Sequence, residues 1–168
     1  LHLVHAKKDV EPDEENTIAV VGVFLALGNN AEPLQNLRPY IINVKNPESE
    51  KAVHGFSVHS FIPSHPENFY RYEGSLTTPS CDESVVWIVM ADPISATLPQ
   101  MQAFREVVFG SLKTGENQRP TQSLNGRRIQ FRATNYALYN NAAAVEFGSA
   151  LRRIIAIILL IAWLPNNT

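Results

Sequence analysis

The sequence predicts one α+β domain in which strands dominate and helices are few. Residues 17–27 and 84–90 are apolar, β-branched runs too short for buried helices of usual length, so they read as buried strands. Only residues 32–44 and 98–108 carry helical spacing. A chain of 168 residues with 45% hydrophobic and 18% charged residues is large and apolar enough for one packed core.

Each element follows in order. Residues 1–6 alternate as a strand, with His2 and Val4 on one face and Leu1, Leu3 and His5 on the other. Residues 7–16 are polar and acidic, contain Pro12, and read as a loop. Residues 17–27 form one central strand, stopped by Gly28, Asn29 and Asn30. Leu34, Leu37, Tyr40 and Ile41 predict a short helix that Pro39 interrupts. Residues 54–71 are rich in Ser, Pro and His, and predict loop with short strand pieces such as 60–62. Residues 84–90 form a second buried strand, and 98–108 a helix with Met101, Phe104, Val107 and Val108 on one stripe. Residues 127–133 are a last strand, 136–149 an Ala- and Asn-rich linker, and 154–164 an uninterrupted apolar run.

Composition excludes some classes. A net charge of -2, with basic residues scattered apart from pairs such as Arg127-Arg128 and Arg152-Arg153, makes no electrostatic case for nucleic acid. No solenoid-period repeat is present. The single cysteine, Cys81, cannot form a disulfide within the chain, and a half-buried free thiol is its plain reading. The first residue is Leu1, not Met, and no secretory leader precedes the first strand, so the chain reads as a piece of a longer protein.

A catalytic zinc ion takes three protein ligands and keeps an open position. Alternation on neighbouring strands points every second side chain into one cavity, and His2 is placed for this with Val4 beside it. A strand histidine alone is more often a satisfied core or surface residue. His54, His59 and His65 lie in a loop without that alternation and are not ligand candidates.

Longer motifs add to that reading. Leu1-His2-Leu3-Val4-His5 is followed by Ala19-Val20-Val21-Gly22-Val23-Phe24-Leu25. Tyr72-Glu73-Gly74-Ser75-Leu76-Thr77-Thr78-Pro79-Ser80 then runs into Val85-Val86-Trp87-Ile88-Val89. Asp92-Pro93-Ile94-Ser95 and Asn117-Gln118-Arg119-Pro120-Thr121-Gln122-Ser123-Leu124-Asn125-Gly126-Arg127 complete the set. In this order the segments resemble the α-class carbonic anhydrases over residues 1–133. The resemblance implies a large twisted, mostly antiparallel central sheet with few peripheral helices, and a chain that is the C-terminal part of that domain. It also implies zinc-dependent, reversible hydration of carbon dioxide to bicarbonate and a proton, with Zn2+ as cofactor.

By the same resemblance His2 matches the third zinc ligand and His5 the buried histidine just beyond it. Thr77 matches the threonine that accepts a hydrogen bond from zinc-bound hydroxide and donates its own to a buried glutamate. Thr78 matches a polar neighbour near the bicarbonate position. Val4, Val20, Leu76, Val85 and Trp87 match the apolar wall where carbon dioxide rests, with Ile18 at its edge and Tyr72 behind it. The chemistry suits these residue types: zinc brings the pKa of a bound water to about 7, and a threonine hydroxyl has a single proton to donate.

Some features depart from the pattern. The family's other two zinc ligands, on an H-x-H strand, and its glutamate and proton-shuttle histidine belong to sequence before Leu1. The chain alone is therefore expected to be inactive, with sheet edges and cavity wall exposed. The alternative is a carbonic anhydrase-like binding module at the cell surface that has lost the upstream histidines. Ser80 stands where a second proline is usual and removes the low-cost route to a cis peptide, so a loop of slightly different shape is expected past Thr78. Cys81 matches a half-cystine of secreted and membrane-bound members, whose partner lies near the domain's N-terminus.

The apolar run 154–164 is shorter than the roughly 20 residues a membrane-spanning helix needs. It fits the tail of a glycosylphosphatidylinositol signal of about 10–20 residues, with Asn141 as the attachment candidate and 144–153 as spacer. A short single-pass helix and a buried core helix are the alternatives. The expected organisation is 1–133 catalytic-domain part, 134–153 linker and spacer, and 154–168 hydrophobic tail, on the extracellular face of the plasma membrane. The partners expected are carbon dioxide, bicarbonate and, through the tail, the membrane.

Overall fold

The computed structural model describes residues 1–8, 17–29, 32–44, 49–107, 118–134 and 160–162. The strands are β1 (His2–Ala6), β2 (Ile18–Gly22), β3 (Leu25–Leu27), β4 (Phe69–Gly74), β5 (Val85–Met90), β6 (Ile94–Ala96), β7 (Gln130–Arg132) and β8 (Leu160–Ala162). The helices are α1 (Glu32–Ile41) and α2 (Leu98–Arg105), with a 3-10 turn at Val58–Phe61. Six strands make the central sheet in the order β7-β4-β5-β2-β1-β8. The pairs β7–β4, β4–β5 and β2–β1 are antiparallel; β5–β2 and β1–β8 are parallel. The α+β class, built on a large mixed and largely antiparallel sheet with two helices, is what the sequence predicts.

Alternation in β1 divides the molecule into two apolar regions. Leu1 and Leu3 are buried in the main core with Leu34, Leu37 and Ile41 of α1, Met101, Ala103 and Phe104 of α2, and Phe61. His2 and Val4 point to the other side, where a smaller cluster forms around Val20, Val85 and Trp87. Helix α2 begins at a capping box. Thr97 Oγ1 accepts from the Gln100 amide, and the Thr97 amide donates 2.9 Å to Gln100 Oε1. The buried Gln100 side chain also donates to Gln35 Oε1 of α1 at 3.4 Å, joining the two helices.

Several elements differ from the sequence expectation. Residues 17–27 form two strands, not one. Val23 still pairs with Leu1, each nitrogen bonding the other's carbonyl, but the Ile94 amide donates to Phe24 O, so the chain passes to the second sheet after Val23 and pairs as β3 with β6. Residues 60–62 contribute to a 3-10 turn rather than to a strand; Ser60 N–H and Oγ both bond Ser57 O, a local closure that competes with a ladder. Helix α1 continues through Pro39, which is exposed, to Ile41. Tyr72–Gly74 are strand, the end of β4, before the loop begins. The expected loop at 9–16 and the linker at 136–149 lie outside the described residues. Of the apolar tail, Leu160–Ala162 are described, and they pair with the outer edge of β1, His2 opposite Leu160 and Val4 opposite Ala162. Among the described residues no helix is long and apolar enough to cross a membrane.

Candidate active site

Strand register lines up a row of side chains across the sheet. Val4 pairs with Val20, Val20 with Trp87, and Trp87 with Tyr72. In the adjacent row Ile18 pairs with Val85 and Val85 with Gly74. These residues gather into one cluster: Val20, Val85 and Trp87 are buried, and Val4, Ile18, Tyr72, Leu76 and Val89 pack against them half exposed. It holds all six residues that the sequence assigned to an apolar wall, together with Tyr72.

Trp87 is the hub. Its ring lies edge-on to His2, with centroids 4.7 Å apart and planes at 73°, and parallel to Tyr72, with centroids 6.2 Å apart and planes at 9°. One glycine makes room for it. A Cβ at Gly74 would stand 3.0 Å from Trp87 Cδ1 and 3.2 Å from Tyr72 Cε2, so the rings would have to give way. Gly22 lies opposite His2, where an added Cβ would make only ordinary contacts with the Trp87 and His2 rings. The indole Nε1–H donates 3.1 Å to Ser75 O, tying the hub to the loop that follows β4.

That loop is held at nearly every residue. The Leu76 amide donates to Asp82 O at 3.0 Å, and the Cys81 amide to Thr78 O at 2.8 Å. Ser80 Oγ donates to the Asp82 carboxylate. Arg119 reaches in from a distant segment: its amide donates 2.7 Å to Thr77 O, and its guanidinium 2.5 Å to Ser75 Oγ. Arg127 donates 3.0 Å to Glu73 O, just before the loop. The Thr77 and Thr78 side chains are half buried, and their hydroxyls have no partner among the described residues.

His2 is largely withdrawn from water. Burial, with the neighbouring terminal ammonium adding to it, lowers its pKa from 6.5 to about 4, so the ring is neutral at pH 7. Its nitrogens have no hydrogen-bond partner among the described residues. Burial raises the Tyr72 hydroxyl above its usual value, and Arg127 opposes that in part.

A sequence model of the family described as "Eukaryotic-type carbonic anhydrase" matches residues 1–133. The chain belongs to the carbonic anhydrase family. A Caenorhabditis elegans protein named "Putative carbonic anhydrase 3" is 40% identical over 130 residues, covering 77% of this chain and 51% of that protein. Human "Carbonic anhydrase 5A, mitochondrial" is 37% identical over 128 residues, covering 72% of the chain and 42% of its own length. Human "Carbonic anhydrase 12" is 26% identical over 168 residues, covering 96% of the chain and 47% of its own length. The chain thus spans about half the length of the curated carbonic anhydrases it matches.

A catalytic zinc site needs three protein donors, more than the described residues bring together. His2 suits zinc, being a neutral imidazole with unengaged nitrogens. Yet among the described residues no group of three or more His, Cys, Asp or Glu could hold a metal. The described residues do not complete a three-ligand set around His2.

Two expectations need correcting. His5 is exposed, not buried. It follows Leu3 on the core face by alternation, but among the described residues the core cluster takes nothing from β1 beyond Leu3. The peptide bond before Ser80 is cis, although no proline follows it. Cys81 is half buried with a free thiol and a φ of 67°, left-handed for a non-glycine residue. Asn141 lies outside the described residues. Sequence reasoning missed the special parts of Gly74, Ser75 and Arg119. All three stood inside quoted motifs, but they act on partners in other segments, which spacing does not reveal.

Proposed function

We propose that this chain forms one side of a carbonic anhydrase active site, and that the complete site interconverts carbon dioxide and bicarbonate with release or uptake of a proton. One observation carries the reading: an imidazole, a threonine loop and an aliphatic wall are all gathered on a single indole, Trp87. Zinc, held by His2 with two further ligands, would supply a Lewis acid that makes water acidic enough to ionise near neutral pH.

The chain's own residues have separate tasks. His2 stays unprotonated at physiological pH and offers a lone pair. The wall of Val4, Ile18, Val20, Leu76, Val85 and Trp87 holds an apolar gas weakly and excludes competing water. The Thr77 hydroxyl donates one proton and accepts elsewhere, so it orients an oxygen nucleophile toward that wall. Thr78 offers a hydroxyl to the polar product. Tyr72 stacks behind Trp87 and keeps the indole plane fixed.

A second reading has its own support. Because the described residues gather no three-ligand group, a zinc-free binding module of the same fold is the competitor. Zinc titration and stopped-flow hydration separate the two. The expected result is that this chain alone binds zinc weakly and does not speed hydration, while the full-length gene product binds zinc tightly and speeds hydration. In that product Thr77→Val is expected to lower kcat by about a hundredfold, the scale of losing an oriented hydrogen bond in a transition state. A full-length product that fails to bind zinc would make the binding module the correct reading.

We also propose that the apolar run 154–164 directs a glycolipid anchor to Asn141, placing the protein on the extracellular face of the plasma membrane. In that setting Cys81 pairs with a cysteine outside this chain. Release from intact cells by a phosphatidylinositol-specific phospholipase is the expected outcome; retention after treatment argues for a membrane-spanning tail.

A further inference from the structure

We infer that Arg119 is a positioning residue for Thr77. Two of its bonds fall on either side of Leu76. The backbone N–H of Arg119 donates 2.7 Å to Thr77 O, and the guanidinium donates 2.5 Å to Ser75 Oγ. Ser75 is also gripped from the opposite direction, because its carbonyl accepts from Trp87 Nε1 at 3.1 Å. The loop is thus pinned between a cation on the late segment and the aromatic hub of the wall. The Arg119 side chain is half buried, so its bond to Ser75 is partly shielded from water.

The geometry does two things at once. It fixes the backbone at residues 75–77 and leaves the Thr77 hydroxyl unengaged among the described residues. A hydroxyl that must orient a reacting oxygen needs a rigid backbone behind it and freedom at its own oxygen. Arg119 supplies the rigidity without using that freedom. Lysine would carry the charge but not the planar fork that reaches Ser75 while the same residue's amide holds Thr77. Arg127 plays no equivalent part, since its bond falls on Glu73 O before the loop starts.

This inference rests on the proposed role of Thr77, and the test keeps the two separable. Amide hydrogen exchange is measured on the full chain for wild type, Arg119→Gln, Arg119→Lys, Ser75→Ala and the double variant Arg119→Gln with Ser75→Ala. The amides of Leu76 and Cys81, and that of residue 119 itself, are hydrogen-bonded here and report on the loop directly.

The expected result is about tenfold faster exchange at these three amides in Arg119→Gln, the scale of one lost hydrogen bond to a charged group, with β5 unchanged. Ser75→Ala should show the same pattern, the double variant should add nothing to Arg119→Gln, and Arg119→Lys should recover part of the loss. Unchanged loop exchange in both single variants, additive effects in the double, or an equal rise across β5 would overturn the inference. If Arg119→Gln fails to fold, Ser75→Ala decides alone by its loop exchange.

In the zinc-competent full-length protein, Arg119→Gln should lower kcat about tenfold with KM unchanged. If wild type does not hydrate carbon dioxide while the exchange pattern holds, the functional reading fails and the clamp stands.

Discussion

On one face of the six-stranded sheet, Leu34, Phe61 and Met101 are sealed from water at 0%, 0% and 1% exposure beneath two helices. On the other face, among the described residues, the buried cluster is Val20, Val85 and Trp87, and Val4, Ile18, Tyr72 and Leu76 around them remain half open. Both regions are aliphatic and aromatic, and both are built by alternation on the same strands. They differ in what finishes them. The core face is closed by α1 and α2; the other face is edged by a loop whose backbone is tied by hydrogen bonds while its threonine hydroxyls stay unengaged. A sealed face stabilises the fold, whereas an apolar face left partly open can receive a small ligand.

The contrast makes ranked predictions. Phe61→Ala should cost about 3–5 kcal/mol in urea melts, because a fully buried ring leaves a cavity that helices and sheet cannot both close. A cost near 1 kcal/mol would mean that the core is less closely packed than described.

Acid should act next, and on the open side. The folded-state pKa of His2 is about 4 against an ordinary 6.5, so between those values the unfolded chain binds more protons than the folded one. Stability should therefore fall as pH drops from 6.5 toward 4, then level off, by no more than about 3 kcal/mol. His2→Asn should remove that part of the slope; an unchanged slope would place His2 in water.

Thr97→Ala should cost about 1 kcal/mol by opening the capping box of α2, a loss visible as a lower urea midpoint with the same slope. Val4→Ala should cost the least, below about 1 kcal/mol, since its side chain is already half exposed. The same variant in the full-length protein should raise KM for carbon dioxide more than it lowers stability. If Val4→Ala proves as costly as Phe61→Ala, the two faces are not different in kind.

Legibility in the sequence follows the same division. β1, β5 and the cores of both helices were readable because alternation and helical spacing are local signals. Residues 17–27 were not readable as two strands, because the passage to a second sheet after Val23 is decided by Ile94 N–H and the rest of β6, far away in sequence. The strand expected at 60–62 lost to the turn at Val58–Phe61, whose Ser57–Ser60 closure periodicity does not register. The wall residues came from family resemblance; taken alone, each valine is an ordinary strand residue. Burial of His5 was expected from the same resemblance, yet whether the far end of β1 is covered depends on what packs there, and the core ends at Leu3. Arg119 was visible as a motif letter, but its grip on Ser75 spans two distant segments.

The parallel join of β2 to β5 sets an order of events during folding. Val20 and Trp87 become neighbours only when strands distant along the chain meet, and the intervening segment must first fold back on itself. Hairpin-like contacts such as those between β4 and β5 can form early, whereas the seam that carries the indole waits for closure of a much longer excursion. Near-native Trp87 fluorescence during refolding would thus signal arrival at the finished topology rather than mere collapse.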